Sequence, residues 1–254
     1  MGTLFDIIPD FFFRGNKYQC NICGFQSNGW LPRGHNYPII KELEIIGAGK
    51  RWVDCKKCGS SDRDRLVFEF LKYKNQLNPL ENLHFLHVAP EAALNKKIEY
   101  DFNCKSTKID YKAPGYRFTY SKDVELGDIQ QLNFPDESFD FILCNHVLEH
   151  VPDDEKAIKE IHRVLKPGGF GIIQVPISLK IDQTITALST WNSHDKKMHL
   201  GQKDHLRLYG LDIRKLIEKH HLTMNEWYFN DQKLLSKLKI NPEEFILNIT
   251  KSIN

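Results

Sequence analysis

The chain has 254 residues, with 35 Lys and Arg against 33 Asp and Glu and a formal net charge of +2. That length fits one large domain, or one domain plus a small module, and 41% hydrophobic residues suffice for a sizeable core. Balanced charge excludes a polybasic nucleic-acid protein while leaving room for a local basic patch, and no apolar run approaches the roughly 20 residues of a membrane helix.

The opening MGTLFDIIPDFFFRG is apolar in part, but acids and Pro9 interrupt it. It lacks a basic leader and a small-residue cleavage site, so no signal peptide is expected. Two CxxC-G knuckles follow, Cys20-Asn-Ile-Cys23-Gly and Cys55-Lys-Lys-Cys58-Gly, with 31 residues between them. In each, two thiolates converge on one point, and the Gly permits the tight turn. Cys20, Cys23, Cys55 and Cys58 thus make a tetrahedral set suited to structural zinc (Zn2+). A closed four-ligand site leaves no catalytic position, so this zinc is expected to be architectural; redox-active or disulfide-forming Cys is the alternative. The spacing exceeds that of a simple ribbon, which predicts an inserted loop or hairpin carrying Trp30, Pro32, Arg33, Gly34, His35 and Tyr37. Arg51, Lys56, Lys57, Arg63 and Arg65 make the second knuckle basic, and such a run is expected to form a solvated face. Cys104 and Cys144 are expected in the core. Metal-held Cys fits a reduced, cytoplasmic setting.

Ser60-Ser61-Asp62 can cap a helix that carries Leu66, Val67, Phe70 and Leu71 on one side. Asn78-Pro79 marks a boundary. Leu83–Val88 reads as a strand, followed by the turn Ala89-Pro90-Glu91-Ala92-Ala93. Thr107–Tyr111 ends a second strand. Phe139–Cys144 is an apolar run suited to a strand buried on both faces. Asp153 caps a helix in which Ala157, Ile158, Ile161, Val164 and Leu165 form one stripe, and Lys166-Pro167-Gly168-Gly169 ends it. Phe170–Val175 is a further buried strand, which completes a βαβ unit and predicts a parallel sheet. A polar insertion, 177–203, carries Trp191, His194 and His199. Asp204-His205-Leu206-Arg207-Leu208-Tyr209-Gly210 comes next, ahead of a helix with Ile213, Leu216 and Ile217 on one face. Leu222–Phe229 and Phe245–Thr250 read as strands, and the Lys-rich 230–244 as a mobile connection.

The run NHVLEHVPDDEKAIKEIHRVLKPGG resembles the fourth-strand region of class I S-adenosylmethionine-dependent methyltransferases, and the resemblance extends over residues 82–250. It implies an α/β fold: a Rossmann-like seven-stranded sheet in which one of the last two strands is inserted antiparallel. S-adenosyl-L-methionine would lie at the carboxyl ends of the strands. The expected organisation is a zinc module over 1–62, a linker helix over 63–80 and a methyltransferase domain over 81–254. His87 stands where the family has an acid, and Ala89, Glu91 and Ala93 where it has glycines. That departure leaves two readings: a variant loop in which Glu91 reaches the cofactor's amino group, or a site that no longer binds cofactor.

Asp110 suits the ribose hydroxyls, Asp128 and Ile129 the adenine, and Asn145 and His146 stand where cofactor and substrate meet. The 177–203 insertion follows strand five and can cover the methyl group. For proton removal the candidates are His205 first, then His150 and His146. Asp204, Arg207 and Tyr209 are candidate acceptor-binding residues. The expected activity is methyl transfer to oxygen or nitrogen of a small polar or saccharide-like acceptor. The alternatives are an RNA methyltransferase that uses its zinc module for recognition, and a non-catalytic zinc-containing binding protein on a retired methyltransferase fold. The sequence leaves the oligomeric state open.

Overall fold

A computed structural model describes residues 13–111 and 123–253. Residues 1–12, on which the leader reading falls, lie outside them. The amino-terminal module is two hairpins. Strand β1 (Arg14–Gln19) pairs antiparallel with β2 (Gln26–Ser27). Strand β3 (Leu31–Arg33), the short helix α1 (Pro38–Glu42) and β4 (Arg51–Asp54) follow, and β3 pairs antiparallel with β4. Helix α2 (Asp62–Leu77) leaves the module through a capping box between Ser61 and Asp64.

Leu66, Val67, Phe68, Phe70 and Leu71 of α2 are buried in one cluster with Cys20, Ile22, Trp30 and Cys55 of the module and Phe85, Phe141 and Phe170 of the sheet. Module, helix and sheet therefore share a core, and α2 lies on the sheet face. Arg65 is fully buried at its centre. Its guanidinium donates to the carbonyls of Val53 and Ser60 at 2.7 and 3.0 Å, and to that of Leu238 at 2.7 Å. The Trp30 ring centroid is 4.1 Å away. The basic run of the second knuckle is therefore a solvated face only in part, at the exposed Lys57. Arg65 is interior, and Arg51 pairs with Asp62 at 2.6 Å.

The remainder is a layered α/β unit: β5 (His84–Val88), α3 (Ala92–Phe102), β6 (Lys105–Asp110), β7 (Glu125–Leu126), β8 (Phe139–Asn145), α4 (Asp154–Val164) and β9 (Leu165–Gln174). After them come β10 (Ile185–Thr186), α5 (Ser193–Leu200), β11 (Arg207–Leu208), α6 (Ile213–Glu218), β12 (Leu222–Trp227), α7 (Gln232–Leu238) and β13 (Ile246–Lys251). The sheet has seven strands in the order β12-β13-β9-β8-β5-β6-β7. Only β13 runs against its neighbours, antiparallel to both β12 and β9. Period-two alternation sorts the faces: Leu86, Ile142 and Ile173 meet α4 and α6, whereas Phe85, Phe141 and Ile172 meet α2 and α3. Asp153 caps α4 as expected, its carboxylate accepting from the Lys156 amide at 2.9 Å.

One expectation needs correction. Residues 230–244 contain a docked helix: Asp231 caps α7, and Leu235 and Leu238 are buried. The 177–203 insertion is ordered and packed. It pairs β10 with β11 and seats Leu200 of α5 against Ile40 and Ile45 of the amino-terminal module.

Candidate active site

The four thiols of the two knuckles meet. One Sγ from each lies within 4.8 Å of the others, with Cys20 and Cys58 at 3.7 Å and Cys23 and Cys55 at 3.6 Å. The knuckles repeat one another: the Gly24 amide donates to the Cys20 carbonyl and the Gly59 amide to the Cys55 carbonyl, both at 2.8 Å. Both glycines have φ near +74°, a left-handed turn that a side chain would strain. Four soft thiolate donors in this arrangement fit a structural zinc.

At the carboxyl edge of the sheet, β5 ends in the turn whose glycines are missing. Ala89 nevertheless has φ +50°, the left-handed region glycine favours. Its amide donates to the Ile109 carbonyl at 2.8 Å, which ties the turn to β6. The backbone thus keeps the shape a glycine would give it, at a cost of roughly 1–2 kcal/mol for the Cβ. Accordingly, Ala89→Gly is expected to keep or gain stability within about 1 kcal/mol. Ala89→Val, branched at a left-handed position, should lose about 2 kcal/mol or more. Denaturant midpoints for the two variants check this, and equal losses would show that the turn makes no such demand.

His87 is fully buried and uses both ring nitrogens, at 2.9 Å from Asn95 Oδ1 and 2.8 Å from Glu91 Oε2. Burial pushes the Glu91 carboxyl up, but the hydrogen bond and charge of His87, a backbone hydrogen bond and the charge of Arg63 together outweigh it, and the net shift is downward. Glu91 is therefore an anchored carboxylate, with Asn145 Nδ2 donating weakly at 3.5 Å. Asn145 Oδ1 is buried without a partner among the described residues. Glu91 follows β5 and Asn145 ends β8, and their acceptor oxygens suit an ammonium group. Asp110 closes β6 on the same edge. Asp128 folds into a turn, its carboxylate accepting from the Gln130 amide at 2.8 Å, and Ile129 is buried beside it.

Beyond β8 and β9 lies a cavity of about 310 Å³. Its floor holds His146, Glu149, His150 and His205; Arg33, Arg51 and Arg63 line the side given by the amino-terminal module and α2. The module approaches closely here: a Cβ on Gly47 would come within 3.1 Å of His146 Cε1. Glu149 is 1% exposed, and its Oε1 is 3.2 Å from His146 Nδ1. Burial pushes Glu149 up, but the His146 hydrogen bond and neighbouring His charges outweigh it and leave the carboxyl at about 2. His146 is pushed down to about 4, chiefly by burial and then by the charge of Arg63. Near neutral pH the pair is a carboxylate accepting from a neutral imidazole. His146 Nε2, on the other side of that ring, is buried without a partner among the described residues. Arg63 donates from Nη1 to the Gly47 carbonyl at 3.3 Å, while its Nε has no partner among those residues. Burial and the nearby Arg51 and Arg33 lower its pKa.

The fold brings His146, His150 and His205 together, the latter two edge to face with ring centroids 4.9 Å apart. It does not bring in Arg207 or Tyr209. The Arg207 guanidinium donates to the carbonyls of Leu148, Val151 and Pro152 at 2.6 to 3.0 Å. Tyr209 is fully buried and donates to Asp154 Oδ2 at 2.9 Å. Both hold the 148–154 turn instead of an acceptor. Asp204 stands outside the cavity lining, where its carbonyl accepts from His150 at 3.2 Å. Sequence reasoning missed Glu149, Arg33 and the pocket role of Arg63. The residues NHVLEH did offer one signal for Glu149, a carboxylate three residues after a His.

Strand order, the single antiparallel insertion and a polar crevice at the carboxyl edge define a Rossmann-like class I methyltransferase fold. Residues 89–173, about a third of the chain, match the family described as methyltransferase domain. An uncharacterized methyltransferase of Schizosaccharomyces pombe is 29% identical over 117 residues, 42% of this chain and 41% of that protein. The demethylmenaquinone methyltransferase of Geobacillus stearothermophilus is 35% identical over 85 residues, 34% of this chain and 35% of that one. The chain thus spans well under half of these curated relatives. Among solved structures, phosphoethanolamine N-methyltransferase 2 of Haemonchus contortus with S-adenosyl-L-methionine is 15% identical at a TM-score of 0.50, covering 78% of this chain and 54% of that one. The cyclase SpnF, 13% identical at a TM-score of 0.50, covers 87% of this chain and all of its own. Such likenesses speak for the fold, which hosts more than one chemistry.

Proposed function

We propose that this protein transfers a methyl group from S-adenosyl-L-methionine to oxygen or nitrogen of a small polar acceptor. The observation that carries this reading is the cavity lined by His146 and Glu149, walled by the amino-terminal module and by the segment after β9. A half-open cleft of about 310 Å³ suits a small molecule better than a polymer. Its arginine side favours an acceptor with a carboxylate, phosphate or sugar hydroxyls.

The bound cofactor supplies a methyl group made electrophilic by sulfonium, so the protein's work is alignment, exclusion of water and proton removal. Glu91, steadied by His87, and Asn145 would hold the ammonium end; Asp110 the ribose hydroxyls; Asp128 and Ile129 the adenine. His146 offers its Nε2 lone pair to the acceptor's proton, and Glu149 fixes the tautomer and stabilises the imidazolium that forms. That arrangement places His146 ahead of His205 as base. The four-cysteine zinc takes no part in transfer and holds the module that closes the pocket.

Calorimetry with S-adenosyl-L-methionine and its demethylated product tests the cofactor half. Wild type should bind at micromolar concentration, and Asp110→Ala should weaken binding by about 10- to 100-fold through loss of charge-assisted hydrogen bonds. Absence of binding to folded, zinc-replete protein would leave only a binding module on a retired fold.

A further inference from the structure

We propose that Glu149, His150 and His205 bind a divalent first-row transition-metal ion, at a site separate from the four cysteines. One carboxylate oxygen and one ring nitrogen from each His lie within 4.8 Å of one another. The tautomers follow from the partners on the far side of each ring. His150 Nδ1 is 3.2 Å from the Asp204 carbonyl, and His205 Nδ1 is 3.2 Å from the Leu200 carbonyl. A carbonyl only accepts, so both Nδ1 atoms carry hydrogen and both lone pairs sit on Nε2. His150 Nε2 is 4.0 Å from Glu149 Oε1. Imidazoles whose other nitrogen donates to a backbone carbonyl are oriented as metal-binding imidazoles are.

The carboxylate points the same way. Glu149 is 1% exposed, and its Oε2 has no hydrogen-bond partner among the described residues. A buried ionised oxygen left unpaired costs free energy that a cation would offset. Bonds of about 2.1 Å put neighbouring ligand atoms roughly 3 to 3.5 Å apart, so small side-chain rotations close the set. Two imidazoles and a carboxylate leave coordination positions open, the pattern of reactive rather than structural sites. Here those positions face the cavity that Glu149, His150 and His205 line together, where water or an acceptor oxygen could take them. The cation would be held whether or not a methyl donor binds.

Zinc-replete protein, with about one zinc per chain in the cysteine site, is titrated with Co2+ alone and followed by calorimetry and visible absorption. One further equivalent per chain is expected, with d–d bands but no thiolate charge-transfer band. The His150 side chain is 33% exposed, so His150→Ala should fold; it should bind the second equivalent at least about 100-fold more weakly and keep its zinc. Glu149→Gln should do the same. Two results overturn the proposal: no second equivalent at millimolar Co2+, or one undiminished in His150→Ala.

Discussion

Cys55→Ser is expected to destabilise the whole chain, not the amino-terminal hairpins alone. Zinc held by four thiolates is worth on the order of 10 kcal/mol or more to a small module's folding, and a hydroxyl does not replace a thiolate ligand. Cys55 is fully buried in the same cluster as Trp30, Phe85 and Phe141, so the loss reaches the sheet. If about 4 kcal/mol is felt globally, the thermal midpoint falls by roughly 10 °C or more at this size. Chelation of the wild type should do the same, while Lys57→Ala, at an exposed position of the same knuckle, should stay within about 0.5 kcal/mol. Thermal unfolding followed by near-ultraviolet circular dichroism reads all three. A midpoint indifferent to both chelator and Cys55→Ser would remove the metal from the account of the fold. The consequence for function is direct, because the loop between the knuckles brings Arg33, Gly47 and Arg51 to the pocket.

What could be read from the chain is what chemistry repeats locally. The β8-α4-β9 unit is legible because an apolar run, an acid cap and a 3.6-residue stripe agree within about 35 residues. The helix nevertheless ends at Val164, and Leu165 with Lys166-Pro167-Gly168-Gly169, read as its last turn and stop, opens β9 instead. The cysteine knuckles are legible because two ligands sit three apart, twice. The turn at Ala89 misled by composition: sequence showed an absent glycine, while the backbone kept the glycine conformation at φ +50°. The pocket was poorly legible because its walls come from segments 33–63, 146–150 and 200–205, which only tertiary packing brings together. Arg207 and Tyr209 looked like site residues because polar groups cluster in sequence there. In the fold, the uncapped carbonyls of the 148–152 turn needed donors and took the guanidinium. The Lys-rich 230–244 stretch looked mobile because its few apolar residues fall on one face of a short helix, a signal too brief to read.

Arg65→Met is the second substitution with a large expected effect. The guanidinium is fully buried and satisfies carbonyls from three separate segments: Val53 of the module, Ser60 of the second knuckle, and Leu238 at the end of α7. Met fills most of the volume but leaves those acceptors buried and unpaired, at about 1–3 kcal/mol each before relaxation. A net loss of about 3–5 kcal/mol is expected in denaturant titration. Arg65→Lys should recover only part of it, because a single ammonium cannot reproduce a planar fork that also lies on the Trp30 ring. Function should divide along the same line. Arg63, two residues earlier on α2, faces the cavity in which an acceptor is proposed, whereas Ala89 follows β5 and Asp110 and Asn145 end strands whose pairing does not involve Arg65. In Arg65→Lys, affinity for S-adenosyl-L-methionine should therefore stay within a few fold while the acceptor's KM rises. Equal loss of both would mean that the module supports the cofactor edge as well, and that the two halves of the site are not separately built.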